Sequence, residues 1–346
     1  MSNYTGWDIG GAHIKVANVN NIGKVLYVEE YAAPIWKGLS ALEDKLYRIK
    51  DNLPMRSLFH GITMTAELAD IFKSKKDGVM RLTELCYKVL GENTFFYSTI
   101  HGLNKINNIK RNYNYIASAN WHASANYVAS KIDSGLYIDI GSTTTDIIPF
   151  TNNKSSSEGL NDQERLCASE LVYSGVIRTP LMSLTPRVKF NGKEQGIVAE
   201  NFASTSDIYR ILGFLKNKDD LMETTDGRSK TIVDSKRRLA RIIGMDADEI
   251  KDKKDWINLA EYFHKKQLEI ITNAVTNVLL KLPKKSRHIV CAGVGQFLVR
   301  IIAQQLNVSC SNFSDLVDCD IKTKHKSDIC APAISIAQLN RIMQIK

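Results

Sequence analysis

The tract Trp7-Asp8-Ile9-Gly10-Gly11-Ala12-His13-Ile14-Lys15 near the start of the chain has a counterpart near its middle, Ile138-Asp139-Ile140-Gly141-Ser142-Thr143-Thr144-Thr145-Asp146. In each, an apolar strand runs into Asp-Ile-Gly, a turn of small or hydroxyl-bearing residues follows, and a second apolar strand leaves (Ile14–Val19, Ile147–Phe150). Gly10 and Gly141 allow a tight turn whose N–H groups can cradle a phosphate oxygen. The Asp before each turn stands where it can hold Mg²⁺, directly or through water. Two such hairpins in one chain point to a duplicated α/β fold whose halves face each other across a polyphosphate.

The chain has 346 residues, enough for two domains with real cores. Its apolar runs fall short of the roughly 20 residues that span a bilayer, and the N-terminus carries no signal pattern. A cytoplasmic location is expected. Six cysteines without a C-x-x-C pair read as reduced structural thiols; a metal site from Cys310, Cys319 and Cys330 is the alternative. The net charge of +9 comes from scattered Lys and Arg, not from a basic stretch interleaved with aromatics. That pattern argues against nucleic acid and suits an anionic small molecule drawn into a cleft.

Along the chain, the first hairpin is Gly6–Val19 and Lys24–Tyr31, joined by a turn at Asn20-Asn21-Ile22-Gly23. Periodicity predicts helices over Leu39–Lys50, Thr83–Leu90 and Asn120–Ile132, a strand at Thr94–Tyr97, and a strand at His60–Thr65 leading into a helix that opens near Ala66-Glu67. Helical spacing also covers Glu164–Val176, Ser206–Lys216, Ser235–Ile243 and Trp256–Leu282, the last three read as a helical insertion at about 201–285. A buried strand, His288–Ala292, ends in Gly293-Val294-Gly295, and a last helix spans Pro332–Ile345. The expected organisation is a first lobe over 1–132, completed by a C-terminal helix over 331–346, and a second lobe over 133–330.

The order of hairpin, second hairpin and late strand–Gly-x-Gly–helix resembles the actin/sugar-kinase/Hsp70-like superfamily, two-lobed with duplicated ribonuclease-H-like halves. Narrower phrases are Thr63-Met64-Thr65-Ala66-Glu67-Leu68, Asn120-Trp121, Glu170–Pro180 and Asp207-Ile208-Tyr209-Arg210. With the two glycine tracts they resemble the hydantoinase/oxoprolinase-related proteins of tetrahydromethanopterin-linked one-carbon metabolism. The resemblance implies a transferase step of methanofuran biosynthesis: a furfurylamine methyl diphosphate is attacked by the phenol of γ-glutamyltyramine, an aryl ether forms and diphosphate leaves. It implies Mg²⁺ and no ATP. The competing expectations are an ATP-dependent kinase or ATP-driven hydantoinase-like enzyme, and a nucleotide-switched binding protein. The partners expected are small molecules, with neither nucleic acid nor membrane; the oligomeric state is open.

Asp8 and Asp139 are the metal ligands and, with Glu67, the catalytic set; the alternative for each Asp is a carboxylate that bonds its own turn. Gly10, Gly11, Lys15, Gly141, Ser142, Thr143, Thr144, Gly293 and Gly295 are assigned to the diphosphate. Thr65, Asn120, Trp121 and Arg178 are assigned to substrate, against the plainer readings of Asn120 as a helix cap, Trp121 as core and Arg178 as a surface ion pair. His13 shares a strand face with Lys15 and reaches toward the same cleft. Asp226-Gly227-Arg228 is a polar turn that could cover the site. A phenol has an ordinary pKa near 10, so a base or cation must help ionise it. The sequence leaves the base open among Glu67, Asp139, His60 and His122.

Overall fold

The computed structural model describes residues 3–55 and 57–345. The first hairpin is β1 (Tyr4–Ile9) and β2 (His13–Val19), continued by β3 (Val25–Ala32), α1 (Leu39–Asp51) and β4 (Phe59–Met64). Then come α2 (Lys75–Leu90), β5 (Thr94–Ser98), β6 (Gly102–Asn104), α3 (Ile109–Ile116) and α4 (Asn120–Ala129). These strands form one sheet in the order β3-β2-β1-β4-β5-β6, antiparallel through the hairpin and parallel from β1 to β4 to β5.

The second half repeats the scheme. The hairpin β7 (Gly135–Ile140) and β8 (Thr145–Thr151) precedes β9 (Lys154–Ser155), α5 (Asp162–Cys167), β10 (Leu171–Val172), β11 (Arg187–Phe190) and β12 (Lys193–Gly196). Helices α6 (Thr205–Ile211), α7 (Ile232–Ile242) and α8 (Lys253–Lys281) follow, then β13 (His288–Ala292), α9 (Gln296–Gln305), β14 (Ser309–Asn312), α10 (Lys324–Ile329) and α11 (Ala331–Ile345). The sheet order is β10-β8-β7-β13-β14, again a hairpin extended by parallel strands. This is the two-lobed actin/sugar-kinase/Hsp70-like architecture.

Three local expectations are corrected. Ala66–Leu68 is a single 3-10 turn, and the helix proper starts at Lys75, where the Ser74 side chain accepts from the Asp77 N–H. Glu164–Val176 is not one helix: α5 stops at Cys167, Ser169 turns left-handed at φ 64°, and Leu171-Val172 pairs with β8, which offers that segment a ladder. The helix expected over Ser206–Lys216 ends at Ile211, before Gly213 at φ 80°. Helix α8 packs on the second sheet, where Ile271, Val275 and Val278 share an apolar core with Leu136, Ile138 and Ile289.

Terminal helix α11 packs on β1, β2 and β4 of the first sheet. It comes so near that a Cβ on Gly6 would fall 2.0 Å from the Ala333 carbonyl oxygen, and one on Gly61 2.7 Å from Ile336. The helix therefore requires glycine at both positions. Its approach places Pro332, in its first turn, at the wall of the cleft between the two hairpins.

Candidate active site

Both hairpin turns are built alike. Gly10 N–H donates to the His13 carbonyl (2.8 Å), and Gly141 N–H to the Thr144 carbonyl (2.9 Å), so these two N–H groups close their own turns. The carbonyls of Gly11 and Ala12 accept from Ile35 and Ala33, while those of Gly141 and Ser142 accept from Val176, Ile177 and Arg178. With the carbonyls tied back, the N–H groups of Gly11, Ala12, Ser142, Thr143 and Thr144 have no backbone acceptor among the described residues. They are the donors available to an anion.

A cleft of about 470 Å³ separates the turns. Of the residues expected at the site, Asp8, Gly10, Gly11, Lys15, Thr65, Asn120, Trp121, Asp139, Gly141, Ser142, Thr143, Thr144 and Arg178 all line it, with His13 beside them. Gly293 and Gly295 do not. Their N–H groups bond the Asp328 and Ile140 carbonyls (2.8 Å each), which removes both as phosphate donors. A Cβ on Gly293 would fall 2.3 Å from Asp139 Oδ1, and the residue sits at φ 84°, so this glycine makes room behind the carboxylate. The Asp226-Gly227-Arg228 turn is also outside the cleft, because Asp226 pairs with buried Arg238 (3.0 Å).

Electrostatics concentrates on the two hairpin carboxylates. Burial pushes Asp139 up to about 7, against the pull of Lys15, while Tyr137 O–H donates to its Oδ2 (3.1 Å). Burial likewise pushes Asp8 up to about 6, and its Oδ1 has no hydrogen-bond partner. The charge of Asp8 adds to the rise at Asp139, and that of Asp146 adds to the rise at both. Lys15, 4.0 Å from Glu30, is held above the ordinary lysine range: burial opposes its charge, and Glu30, Asp139 and Asp8 outweigh that opposition. Two buried carboxylates on one cleft, with an Asp8 oxygen left unpartnered, form a donor set that fits a hard divalent cation sharing its remaining positions with phosphate and water. Among the described residues no group of three or more His, Cys, Asp or Glu side chains could hold a metal, which leaves Cys310, Cys319 and Cys330 as separate thiols.

The candidate bases divide. His60 accepts from the Trp7 indole (3.2 Å) and His122 is bonded to Tyr97 (3.0 Å) and Asn126; burial pushes both down to about 4, and neither lines the cleft. His13 is lowered to about 4 as well, by burial and then by Lys15. Glu67 lies just behind the cleft wall, 1% exposed, accepting from Ser118 Oγ (2.8 Å).

Several residues in or behind the cleft wall escape a sequence reading. Arg165 from α5 pairs with Asp146 and stacks 4.1 Å over Trp121, so Trp121 is both core and cleft wall. Trp36 lines the same cleft, 5.9 Å from the Arg178 guanidinium. Gly175 backs the second turn, where a Cβ would fall 2.5 Å from Ser142 C and Thr143 N. Tyr137 had a readable signal, since it stands two residues before Asp139 on the same strand face. The others arrive from distant elements.

The model of the hydantoinase/oxoprolinase family matches residues 59–339. The chain belongs to this family. It is 31% identical over 337 residues, 96% of both chains, to a Methanocaldococcus jannaschii protein named (4-{4-[2-(gamma-L-glutamylamino)ethyl]phenoxymethyl}furan-2-yl)methanamine synthase. A Methanococcus vannielii protein of the same name is 31% identical over 216 residues, 62% of this chain and 94% of its own. Among solved structures, component A of the (R)-2-hydroxyglutaryl-CoA dehydratase of Acidaminococcus fermentans matches at TM-score 0.52, with 11% identity and all of both chains covered, a likeness of fold. Among the described residues no helix is long and apolar enough to cross a membrane.

Proposed function

We propose that this protein is the transferase that joins a furfurylamine methyl diphosphate to γ-glutamyltyramine, forming an aryl ether and releasing diphosphate. The near full-length likeness to the M. jannaschii synthase carries the reading, and the cleft chemistry suits it. The bond that breaks joins the furan methylene carbon to a diphosphate oxygen, and its electron pair leaves with the diphosphate. The furan ring oxygen shares electrons with the developing cation, so the chief demand on the protein is to stabilise the leaving group. The backbone donors of Gly11, Ala12 and residues 142–144 are free to meet that charge, and Lys15 and Arg178 add positive charge at the same cleft. Asp8 and Asp139 would hold Mg²⁺, which when bound neutralises charge on diphosphate oxygens. Trp121, Leu68, Leu171 and Tyr173 give the remaining wall an apolar, aromatic character suited to a phenyl ring.

The purified protein, given Mg²⁺, the furfuryl diphosphate and γ-glutamyltyramine without ATP, should yield ether and diphosphate in equal amounts by mass spectrometry and a phosphate assay. Strict dependence on ATP, with ADP appearing, would instead assign the cleft to a kinase or ATP-driven reaction.

A further inference from the structure

Nucleophilic attack by a phenol near neutral pH requires a group that takes its proton, and the cleft has an unassigned pair suited to that task. Ser118 lies in the three-residue link between α3 and α4, on the cleft wall. It is held at φ 49°, a left-handed backbone that a non-glycine residue adopts only when its surroundings impose it. Its hydroxyl donates to Glu67 Oε1 at 2.8 Å. Glu67 is fixed by the 3-10 turn at Ala66–Leu68, and Gly78 of α2 packs so tightly on it that a Cβ there would fall 2.5 Å from the Glu67 carbonyl oxygen. The second carboxyl oxygen, Oε2, is buried without a hydrogen-bond partner. Glu67 therefore meets the cleft through Ser118, beside a wall that includes Leu68 and Tyr173.

We propose that Ser118 and Glu67 form a proton relay serving the acceptor phenol, an inference that rests on the transferase reading above. The phenol proton passes to Ser118 Oγ as the Ser118 proton passes to the Glu67 carboxylate. The phenol oxygen bonds the furan methylene carbon, the carbon–oxygen bond to diphosphate breaks, and its electron pair leaves with the diphosphate. Glu67 ends protonated and returns the proton to solvent between turnovers. The charges around it come from each packed element: Lys75 of α2 favours its ionised form, Asp162 of α5 opposes it, and Tyr173 lies near enough to feel its charge. Burial dominates and pushes Glu67 up to about 7, which suits a group that must accept and release a proton near neutrality.

The test compares γ-glutamyltyramine with an analogue whose phenol is acidified by ring fluorination. With the natural acceptor, Glu67→Gln should lower kcat roughly 10²-fold or more, with KM little changed, and should remove the limb of the pH–rate profile near neutrality. With the fluorinated acceptor, which ionises unaided, most of that loss should disappear. Ser118→Gly, which accepts the left-handed backbone, should repeat this pattern in a folded protein. Should Glu67→Gln fail to fold, the Ser118 variant carries the same comparison. An equal loss with both acceptors, or a retained pH limb, overturns the relay and leaves the pair a structural contact. Ether formation unaffected by these substitutions overturns it too. Failure of the unaltered protein to make ether from either acceptor instead overturns the function on which the relay rests.

Discussion

Asp139 is buried beneath Tyr137 and beside Lys15, so its negative charge is costly until something in the cleft neutralises it. Asp139→Asn keeps the shape and removes the charge. Ether formation should fall by about 10²–10⁴-fold, the scale on which electrostatic groups at a leaving charge act. Stability should move the other way, with a definite sign. The carboxyl is raised from 3.8 to about 7 on folding, so between those values the folded chain binds more protons than the unfolded one, and stability falls as pH rises through that window. His13, His60 and His122, lowered to about 4, contribute in the opposite sense between about 4 and 6.5, which obscures the trend in the unaltered protein. The difference isolates Asp139: in thermal unfolding, the variant should gain on the unaltered protein at pH 8 and match it more closely at pH 5. A difference independent of pH would mean that Asp139 is already ionised and compensated in the free protein. Asp8 and Asp139 were legible because the tract around them occurs twice. Ser118, Arg165 and Trp36 were not, because each gains its role from a partner brought by another element: Glu67, Trp121 and Arg178.

At the scale of elements, the second turn depends on the segment behind it more than on its own glycine. Space around Gly141 is open apart from the Thr144 carbonyl oxygen at 3.6 Å, whereas a Cβ on Gly175 would strike the backbone of Ser142 and Thr143. The Gly175 carbonyl also gathers bonds from Thr179, Thr205 and Gln267, so the segment cannot simply retreat. Gly175→Ala should therefore cost about 1–3 kcal/mol of stability in denaturant unfolding and weaken binding of Mg²⁺-diphosphate in calorimetry. Gly11→Ala, with no atom within 4 Å of the added methyl, should leave folding stability nearly unchanged. Similar losses in the two variants would show that Gly175 does not brace the turn. Elements with a strong period, such as α1 and α8, were readable from the sequence within a few residues. Glu164–Val176 was misread because the same apolar spacing serves a short helix and a sheet edge, and only the free ladder of β8 decides between them.

Across the whole molecule, the cleft belongs to neither half alone. Asp8, Gly11, Ala12, Lys15 and Trp36 reach it from the first sheet and its connections, and Asp139, Ser142–Thr144 and Arg178 from the second. The last helix packs on the first sheet and brings Pro332 to the same wall, so a distant part of the sequence helps to shape the site. A ligand gripped by both sets stabilises the folded chain in proportion to its affinity, by about 2.7 kcal/mol at a hundredfold excess over Kd. Inorganic diphosphate with Mg²⁺ should therefore raise Tm by several degrees, and chelation by EDTA should abolish the shift. Mg²⁺ without diphosphate should give less, because the cation then satisfies only the two carboxylates. In Asp8→Asn and Asp139→Asn the dependence on Mg²⁺ should weaken, while a Mg²⁺-independent remnant from the backbone donors, Lys15 and Arg178 survives. A larger shift with Mg²⁺-ATP than with Mg²⁺-diphosphate would show that the two turns are spaced for a nucleotide, and would move the reaction from release of diphosphate to transfer of a phosphoryl group.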